Sequence, residues 1–388
     1  MKFKLLLAYI SEFIRDGYYL AVFLLLPFIQ KDIHLNLFQV GTFQTVVNLF
    51  VIIIALPTVT LLIKYGEIKL LFVSLLLYAL GFLGFYFSHS YINLLLVFSI
   101  MGIGFAFYTP TSSHIRSTWF DKNTRGRDLG NLMAIGDIGK VLFSIFIGIL
   151  AVVIGWRVSS FYIGVATGIL FILLYFVYIK NEKKERNSIK SSEEKIEQFS
   201  YFHFLKQKKI FYALLCGNLD EGVNTPFYAF LPFLLLSKGV SITFIGEFTA
   251  IYYVGNIISR LIFGRLVDKI GDAKILIYLE ISMAIFTFLI TFLNSIFLIC
   301  LCALILGIIT EGTDPATSSM LAQALENIKN PHKVSGIRSI GNGLSRAIFP
   351  FILGLIATKA GIIYGFYVLA FMSLLPIIPA YIFLKEQN

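Results

Sequence analysis

The sequence predicts an all-α integral membrane protein made of twelve transmembrane helices in two similar halves. Composition is the first observation behind this prediction: 57% of the 388 residues are apolar, 16% are aromatic and only 14% are charged. A chain this apolar is not expected to form a water-soluble globule. The other two observations are a series of apolar runs of membrane-spanning length and an internal repeat that relates the two halves.

Apolar runs of about 20 residues, the length that a helix needs to cross the hydrocarbon core of a bilayer, occur twelve times along the chain. They lie at 5–29, 38–63, 69–88, 91–113, 129–153, 159–179, 210–236, 243–264, 273–293, 296–320, 338–358 and 362–384. A polar interval separates the sixth run from the seventh. The predicted domains are therefore a six-helix bundle at 1–179, a linker at 180–209 and a second six-helix bundle at 210–388.

Basic residues are distributed unevenly around these spans. If both termini are cytoplasmic, only four of the 32 Lys and Arg residues lie in outer loops, namely Lys31, Arg157, Lys238 and Lys359. The positive-inside rule then predicts a multi-pass protein of the cell membrane with both termini in the cytoplasm. The net charge of +10 is explained by this topology, so the charge does not indicate nucleic-acid binding.

The two halves are related by a repeat with an offset of 205 residues. Seven residues of the first half recur without a gap in the second, at Gly17/Gly222, Pro27/Pro232, Gly41/Gly246, Gly66/Gly271, Lys69/Lys274, Pro110/Pro315 and Gly136/Gly341. A duplicated membrane bundle is typical of secondary transporters, in which two similar halves rock about a site held between them. The repeat thus predicts transport by alternating access.

Polar side chains inside the spans predict where that site lies. An ionised group at the bilayer centre costs at least about 2.5 to 3.5 kcal/mol, so each one indicates a function or a partner. The candidates for substrate binding and proton coupling sit in spans 1, 5, 7 and 11, many at positions related by the repeat: Glu12, Arg15, Asp16, Tyr19, Asp137, Lys140, Asp220, Glu221, Asn224, Asn342 and Arg346. Spacings of three and four place those of span 1 on one helix face.

Two interpretations of the basic residues in this set stay open. Lys140 and Arg346, together with Arg15, could bind an anionic or zwitterionic solute, because guanidinium groups bind carboxylates bidentately. They could instead only neutralise neighbouring acids. In the first case an arriving anion would draw the cations away from Asp16, Glu12 or Glu221, which would then exchange a proton.

A loop motif is similar to one known family. The segment GRLVDKIG, from Gly264 to Gly271 between spans 8 and 9, resembles the conserved loop of the major facilitator superfamily of secondary transporters. The repeat-related loop at 59–66 keeps Lys64 and Gly66 but has Ile63 in place of the aspartate. The resemblance extends along the whole chain, and short segments of spans 1, 7 and 10 resemble exporters of the fosmidomycin-resistance type.

The resemblance implies the fold of that family, with spans 1 and 7 lining a central cavity, and a gate on the cytoplasmic side. The gating residues expected from it are Arg260, Gly264, Arg265, Asp268, Lys269, Gly271, Glu311 and Asp314. Asp268 is expected to accept backbone N–H groups near Gly130 and Asn131, where the dipole at the start of span 5 favours a negative charge. Two features of proton-coupled exporters are missing, since Phe98 stands near the place of the span 4 arginine and span 5 lacks the glycine-proline signature.

The sequence therefore predicts a monomeric secondary transporter. It predicts no enzyme activity, cofactor or metal site, because no hydrolase, metalloprotease or nucleotide-binding motif occurs. Its expected partners are a small solute, protons and the lipid bilayer, and efflux by antiport is one expected mode. A translocator of lipids, lysolipids or amphipathic drugs on the same fold is the first alternative, favoured by the many aromatic residues. A membrane sensor that does not transport is the second.

Overall fold

The computed structural model describes residues 2–119, 125–185, 206–326 and 332–387. The described part is helical, with short turns between the helices. The helices are α1 (Lys2–Ile33), α2 (Leu37–Tyr65), α3 (Glu67–Tyr86), α4 (Tyr91–Thr118), α5 (Arg125–Val153), α6 (Trp156–Glu185), α7 (Lys208–Ser237), α8 (Ile245–Ile270), α9 (Asp272–Ile290), α10 (Ile296–Ala324), α11 (His332–Ala360), α12 (Ile362–Met372) and α13 (Ile377–Gln387).

These helices match the predicted spans in order. Helices α1 to α11 correspond to the first eleven, and α12 with α13 forms the last, which is interrupted by a turn near Pro376. Within the described residues, nine spans are long and apolar enough to cross a membrane, or ten if α8, which bends by 44°, is counted as one. Helices α1 and α7 are outside that set, and they carry charged residues in their middle turns.

Six spans precede residues 186–205 and six follow them, so the end of α6, the start of α7, the start of α1 and the end of α13 lie on one side of the membrane. We call this the linker side and the opposite one the far side. The repeat-related Gly66 and Gly271 end α2 and α8 on the linker side with φ angles of 82° and 98°. Such angles are costly for any residue with a β-carbon, which explains why both halves keep a glycine at this turn.

The two halves meet along two seams, one between α2 and α11 and the other between α5 and α8. In the first seam the Phe38 backbone N–H donates to Thr358 Oγ1 at 2.7 Å, and Thr45 Oγ1 donates to the Ala347 carbonyl at 2.7 Å. In the second, Gly148 packs directly against Gly246. All of these contacts lie in the far-side halves of their helices.

A proline contributes to the first seam. Pro350 has no N–H to donate, so the carbonyl of Arg346, four residues earlier in α11, lacks its helical partner. Asn48 Nδ2 donates to this carbonyl from α2 at 3.4 Å. A helix defect in the second half is thereby satisfied by the first half.

Candidate functional site

A cavity of about 330 Å³ lies between the halves, on the linker side of the two seams. Its walls come from α1, α2, α4, α5, α7, α8, α10 and α11, a wider set than the four spans expected from the sequence. It reaches Arg116 and Ser339 near the linker-side ends of α4 and α11. Because the far side is closed by the seams, the cavity extends toward the linker side.

The wall of the first half carries a cluster of charges centred on Glu12, which is 2% exposed. Glu12 Oε1 lies 3.1 Å from Arg15 Nη2 and 2.6 Å from Arg116 Nη2, and its Oε2 accepts the Tyr108 hydroxyl at 2.7 Å. Arg15 Nη1 also lies 2.5 Å from Asp16 Oδ1. Two carboxylates and two guanidinium groups therefore balance one another here.

The wall of the second half carries a simpler pair. Arg346 donates from Nε and Nη2 to Glu221 Oε2, at 3.0 and 2.8 Å. Asn342, one helical turn earlier on α11, and Asp314 on α10 line the same wall. Both members of the ion pair are partly exposed, with 37% of the Arg346 side chain and 20% of the Glu221 side chain accessible, so a solute in the cavity can reach them.

Four further charges join the halves across the cavity, and we call them the bridge cluster: Asp137, Lys140, Arg260 and Glu311. Asp137 lies 3.0 Å from Lys140 Nζ within α5 and 2.5 Å from Arg260 Nε of α8. Glu311 of α10 lies 3.5 Å from Lys140 Nζ and 3.2 Å from Arg260 Nη2. Each acid thus contacts a base from its own half and one from the other half.

Two predicted residues of α7 lie deeper than the rest. Asn224 reaches the cavity wall, and its Nδ2 donates to Asp220 Oδ1 at 2.9 Å. Asp220 itself is 1% exposed and lies behind that wall. It faces Glu280 of α9, which is 0% exposed and within hydrogen-bonding reach. Glu280 was given no role from the sequence, yet it is buried in the interior of the second half.

The structure brings most of the predicted site residues together. Glu12, Arg15, Asp16, Tyr19, Lys140, Glu221, Asn224, Asn342 and Arg346 all line the cavity, and so do three residues expected at the gate, Arg260, Glu311 and Asp314. Placement alone leaves their roles in binding or gating as predictions. Arg260 was expected in a gate at the cytoplasmic surface. In the structure it contacts Asp137 and Glu311 in the bridge cluster, and it therefore lies at the cavity.

The loop motif lies apart from this cavity. Gly264, Arg265, Asp268, Lys269 and Gly271 are exposed at the linker-side end of α8. Helices α5 and α8 run antiparallel, with Gly148 beside Gly246 and Met133 beside Arg260. This register, continued, places Asp268 beside the first turns of α5. Residues 120–124, which precede α5, and the side chain of Ile63 lie outside the described part, and the contact expected of Asp268 stays a prediction.

Sequence reasoning missed Arg116. The apolar run of span 4 ends at 113, so this arginine was counted among the residues of the cytoplasmic loop, whereas α4 continues to Thr118 and turns Arg116 toward Glu12. The spacing offered a signal, because Tyr108, Ser112 and Arg116 are four residues apart and share a helix face. Tyr108 and Ser112 donate to Glu12 Oε2 from that face, at 2.7 and 3.2 Å.

All the basic side chains that line the cavity have a carboxylate partner. Its five basic residues, Arg15, Arg116, Lys140, Arg260 and Arg346, each lie within 4.0 Å of a carboxylate. An anionic solute would therefore exchange with an internal carboxylate rather than meet a bare positive charge. Such an exchange in the bridge cluster would remove a contact between the halves.

A family comparison decides the class of protein. The model of the Major Facilitator Superfamily matches residues 5–234 and 219–388. The chain belongs to this superfamily. It is thus a multi-pass membrane transporter and not an enzyme, as predicted, while the likeness to fosmidomycin-resistance exporters stays a prediction.

Relatives and solved structures agree with this assignment. The chain is 24% identical over 340 residues to the cis,cis-muconate transport protein of Acinetobacter baylyi, covering 84% of this chain and 80% of that protein. It is 22% identical over 233 residues to the hexuronate transporter of Bacillus subtilis, covering 59% and 55%. A crystal structure of a bacterial homologue of the human lysosomal transporter Spinster, inward-facing and unoccupied, superposes with a TM-score of 0.77 at 15% identity, covering 99% of this chain and 98% of that one.

Proposed function

We propose that this superfamily member carries a small organic anion with at least one carboxylate group, and that protons drive the transport. The observation that supports this most is the convergence of basic side chains from both halves on one cavity, with Arg15 and Lys140 from the first half and Arg346 from the second. Guanidinium and ammonium groups bind carboxylates through charge-assisted hydrogen bonds. The relatives named for cis,cis-muconate and hexuronate carry solutes of this chemistry.

The size of the cavity fits a small solute. Its volume of about 330 Å³ is at the lower end of the range of about 300 to 1,000 Å³ for small-molecule sites. The basic residues are accompanied by hydroxyl and amide groups, including Thr109, Thr225 and Asn342. These groups suit the hydroxyls of a sugar acid, whereas a long acyl chain would need a mostly apolar wall.

Transport then follows from exchange of partners. A carboxylate that binds Arg346 takes the place of Glu221, and one that binds Lys140 takes the place of Glu311 in the bridge cluster. The Lys140–Glu311 contact joins the two halves at 3.5 Å. Its loss destabilises the form in which the cavity is open to the linker side and favours the form that is open to the far side. We further propose that the linker side is the cytoplasm of a cell that holds this protein in its plasma membrane, as the positive-inside rule predicts.

Flux through proteoliposomes tests the proposal. Purified protein should exchange radiolabelled glucuronate or cis,cis-muconate across the membrane, and excess unlabelled solute should compete while nucleosides and lysophospholipids should not. A proton gradient in the direction of uptake should raise accumulation in a symporter and lower it in an antiporter. Competition by lysophospholipid alone would support the lipid translocator instead, and saturable binding without flux would indicate a sensor.

Two substitutions locate the site. Lys140→Ala and Arg346→Ala should each weaken anion binding about 10- to 100-fold, because a hydrogen bond to a charged group contributes about 1.5 to 3 kcal/mol. Lys274→Ala is the matched control, since Lys274 is exposed at the start of α9 and outside the cavity. Reduced expression of both cavity variants with unchanged affinity for every transported solute would show that these cations have only a structural role.

A further inference from the structure

Two carboxylic acids contact each other inside the second half, behind the cavity wall. Asp220 of α7 and Glu280 of α9 are 1% and 0% exposed, and their carboxyl groups are within hydrogen-bonding reach. Ionised carboxylates only accept hydrogen bonds, so a bond between two of them requires a proton on one. We propose that Asp220 and Glu280 form a proton-binding site that communicates with the cavity through Asn224. The assignment of this site as the source of the coupling proton rests on the proposed function.

The surroundings of the pair contain acids and no matching base. Glu221 and Asp314 contribute further negative charge near Asp220. Among the described residues, no Lys, Arg or His lies within 4.0 Å of either carboxyl group. By contrast, five acids at the cavity or in the bridge cluster each have a basic partner within that distance, namely Glu12, Asp16, Asp137, Glu221 and Glu311. Two unpaired carboxylates in such a site would repel each other strongly, and a shared proton removes this repulsion.

A second observation comes from a neutral side chain. Asn224 is 7% exposed, and its Nδ2 is directed at Asp220 Oδ1, but its Oδ1 has no hydrogen-bond donor among the described residues. Neither oxygen of Glu280 has a nitrogen or hydroxyl donor there. Buried polar atoms in folded proteins nearly always have a partner. The two buried oxygens of Glu280 therefore lack the donor that a proton shared with Asp220 would supply.

The repeat shows how the second half differs from the first. Residue 15 of the first half corresponds to residue 220, and residue 116 corresponds to residue 321. The first half has arginine at both places, and both contact Glu12. The second half has Asp220 and Leu321 instead. The first half thus neutralises its buried Glu12 with two arginines of its own. In the second half, an acid replaces the first of these arginines and a leucine replaces the second.

A path from the pair to the substrate follows from neighbouring residues. Asn224 touches both Asp220 and the cavity, and Glu221, next to Asp220 in sequence, is the partner of Arg346. An anion that binds Arg346 leaves Glu221 without its cation. The extra negative charge beside Asp220 then favours retention of the proton. Anion and proton are therefore bound together and released together, which is the sign of coupling of a symporter.

Infrared difference spectroscopy tests the site without any substrate. Wild-type protein at pH 7 should show the carbonyl stretch of a protonated carboxylic acid, and this band should be lost in both Asp220→Asn and Glu280→Gln, since either change leaves one carboxylate with an amide donor. Glu386→Gln is the control and should keep the band, because Glu386 is exposed near the end of α13. An identical band in all four proteins would overturn the proposal. If one isosteric variant does not fold, the other gives the same readout.

Proteoliposome transport tests the coupling with glucuronate, which has a single charge. With the membrane potential held at zero, a gradient of about one pH unit should drive about tenfold accumulation by a wild-type symporter of one proton per anion. Asp220→Asn and Glu280→Gln should lose this accumulation while retaining exchange without a gradient. Accumulation that is unchanged in both variants, or that follows a sodium gradient, would refute the assignment of the coupling proton. Failure of wild-type exchange would refute the proposed function, and the infrared result would still decide whether the pair holds a proton.

Discussion

Closure of the far side depends on two similar glycine contacts, one in each seam. Gly148 of α5 packs on Gly246 of α8 in one seam, and Gly354 of α11 packs on Gly41 of α2 in the other. A β-carbon added at Gly148 would lie 2.8 Å from the Gly246 Cα atom, whereas carbon atoms in contact are about 3.5 to 4.0 Å apart. Gly148→Ala should therefore force the seam apart by roughly one ångström and favour the arrangement that is open on the far side.

The magnitude follows from the kind of clash. The opposing atoms belong to the backbone, so no side chain can rotate away, and overpacking of a tight contact costs about 1 to 3 kcal/mol. The cost applies only while the seam is closed, so the ratio of far-side-open to far-side-closed protein should rise about 5- to 150-fold. Gly354→Ala should act in the same direction, because its β-carbon would lie 2.7 Å from the Leu37 carbonyl oxygen.

Spin labels at the far-side ends of α5 and α8 measure this shift directly. Val153 and Thr243 are both exposed, and in a background with the three native cysteines replaced, their distance distribution should gain a longer component in Gly148→Ala. Gly168→Ala is the matched control, since no atom lies within 4 Å of a β-carbon added there. A Gly148→Ala distribution identical to that of Gly168→Ala would refute the view that backbone contact between the glycines holds the far side closed.

Two further predictions concern the linker side. Asp268→Asn should favour the linker-side-open form, because the expected bond to the start of α5 can form only when that side is closed. Ile63→Asp should favour the opposite form, because it adds the contact that the first half lacks. Distances between spin labels at the linker-side ends of α4 and α10 measure both shifts, and unchanged distances in Asp268→Asn would show that the loop serves assembly and not gating. Arg116→Met should lower the thermal unfolding temperature, since loss of one partner from a buried ion pair costs up to about 3 to 5 kcal/mol. Arg338→Met is the control and should lower that temperature much less, because Arg338 makes one 3.4 Å bond to Ser318. Equal effects would show that Arg15 alone neutralises Glu12.

Sequence reasoning could predict the fold and the lining of the cavity because both depend on local regularities. Span length follows from bilayer thickness, and the spacing of Glu12, Asp16 and Tyr19 by three or four residues fixes a shared helix face whatever surrounds it. The repeat then carries that face to Glu221 and Asn224. These residues line one cavity in the structure, although nothing in the sequence alone says how closely the two faces approach.

The bridge cluster could not be predicted in the same way. The spacing of Asp137 and Lys140 indicates a pair, and they do lie 3.0 Å apart. That Arg260 and Glu311 complete the cluster depends on how far one half is rotated against the other, which no local pattern encodes. Arg116 was missed for a related reason, since a tertiary contact with Glu12 keeps α4 helical beyond its apolar run.

The two halves share an ancestral plan but distribute charge differently. In the first half Glu12 and Asp16 contact arginines of the same half, so an arriving anion changes little there unless it displaces several contacts at once. In the second half Glu221 depends on Arg346, and Asp220 with Glu280 has no cation within 4.0 Å among the described residues. Binding of one carboxylate by Arg346 therefore changes the electrostatic surroundings of three acids, Glu221, Asp220 and Glu280. In the proposed mechanism, binding of the solute is therefore coupled to binding of the proton mainly through the second half.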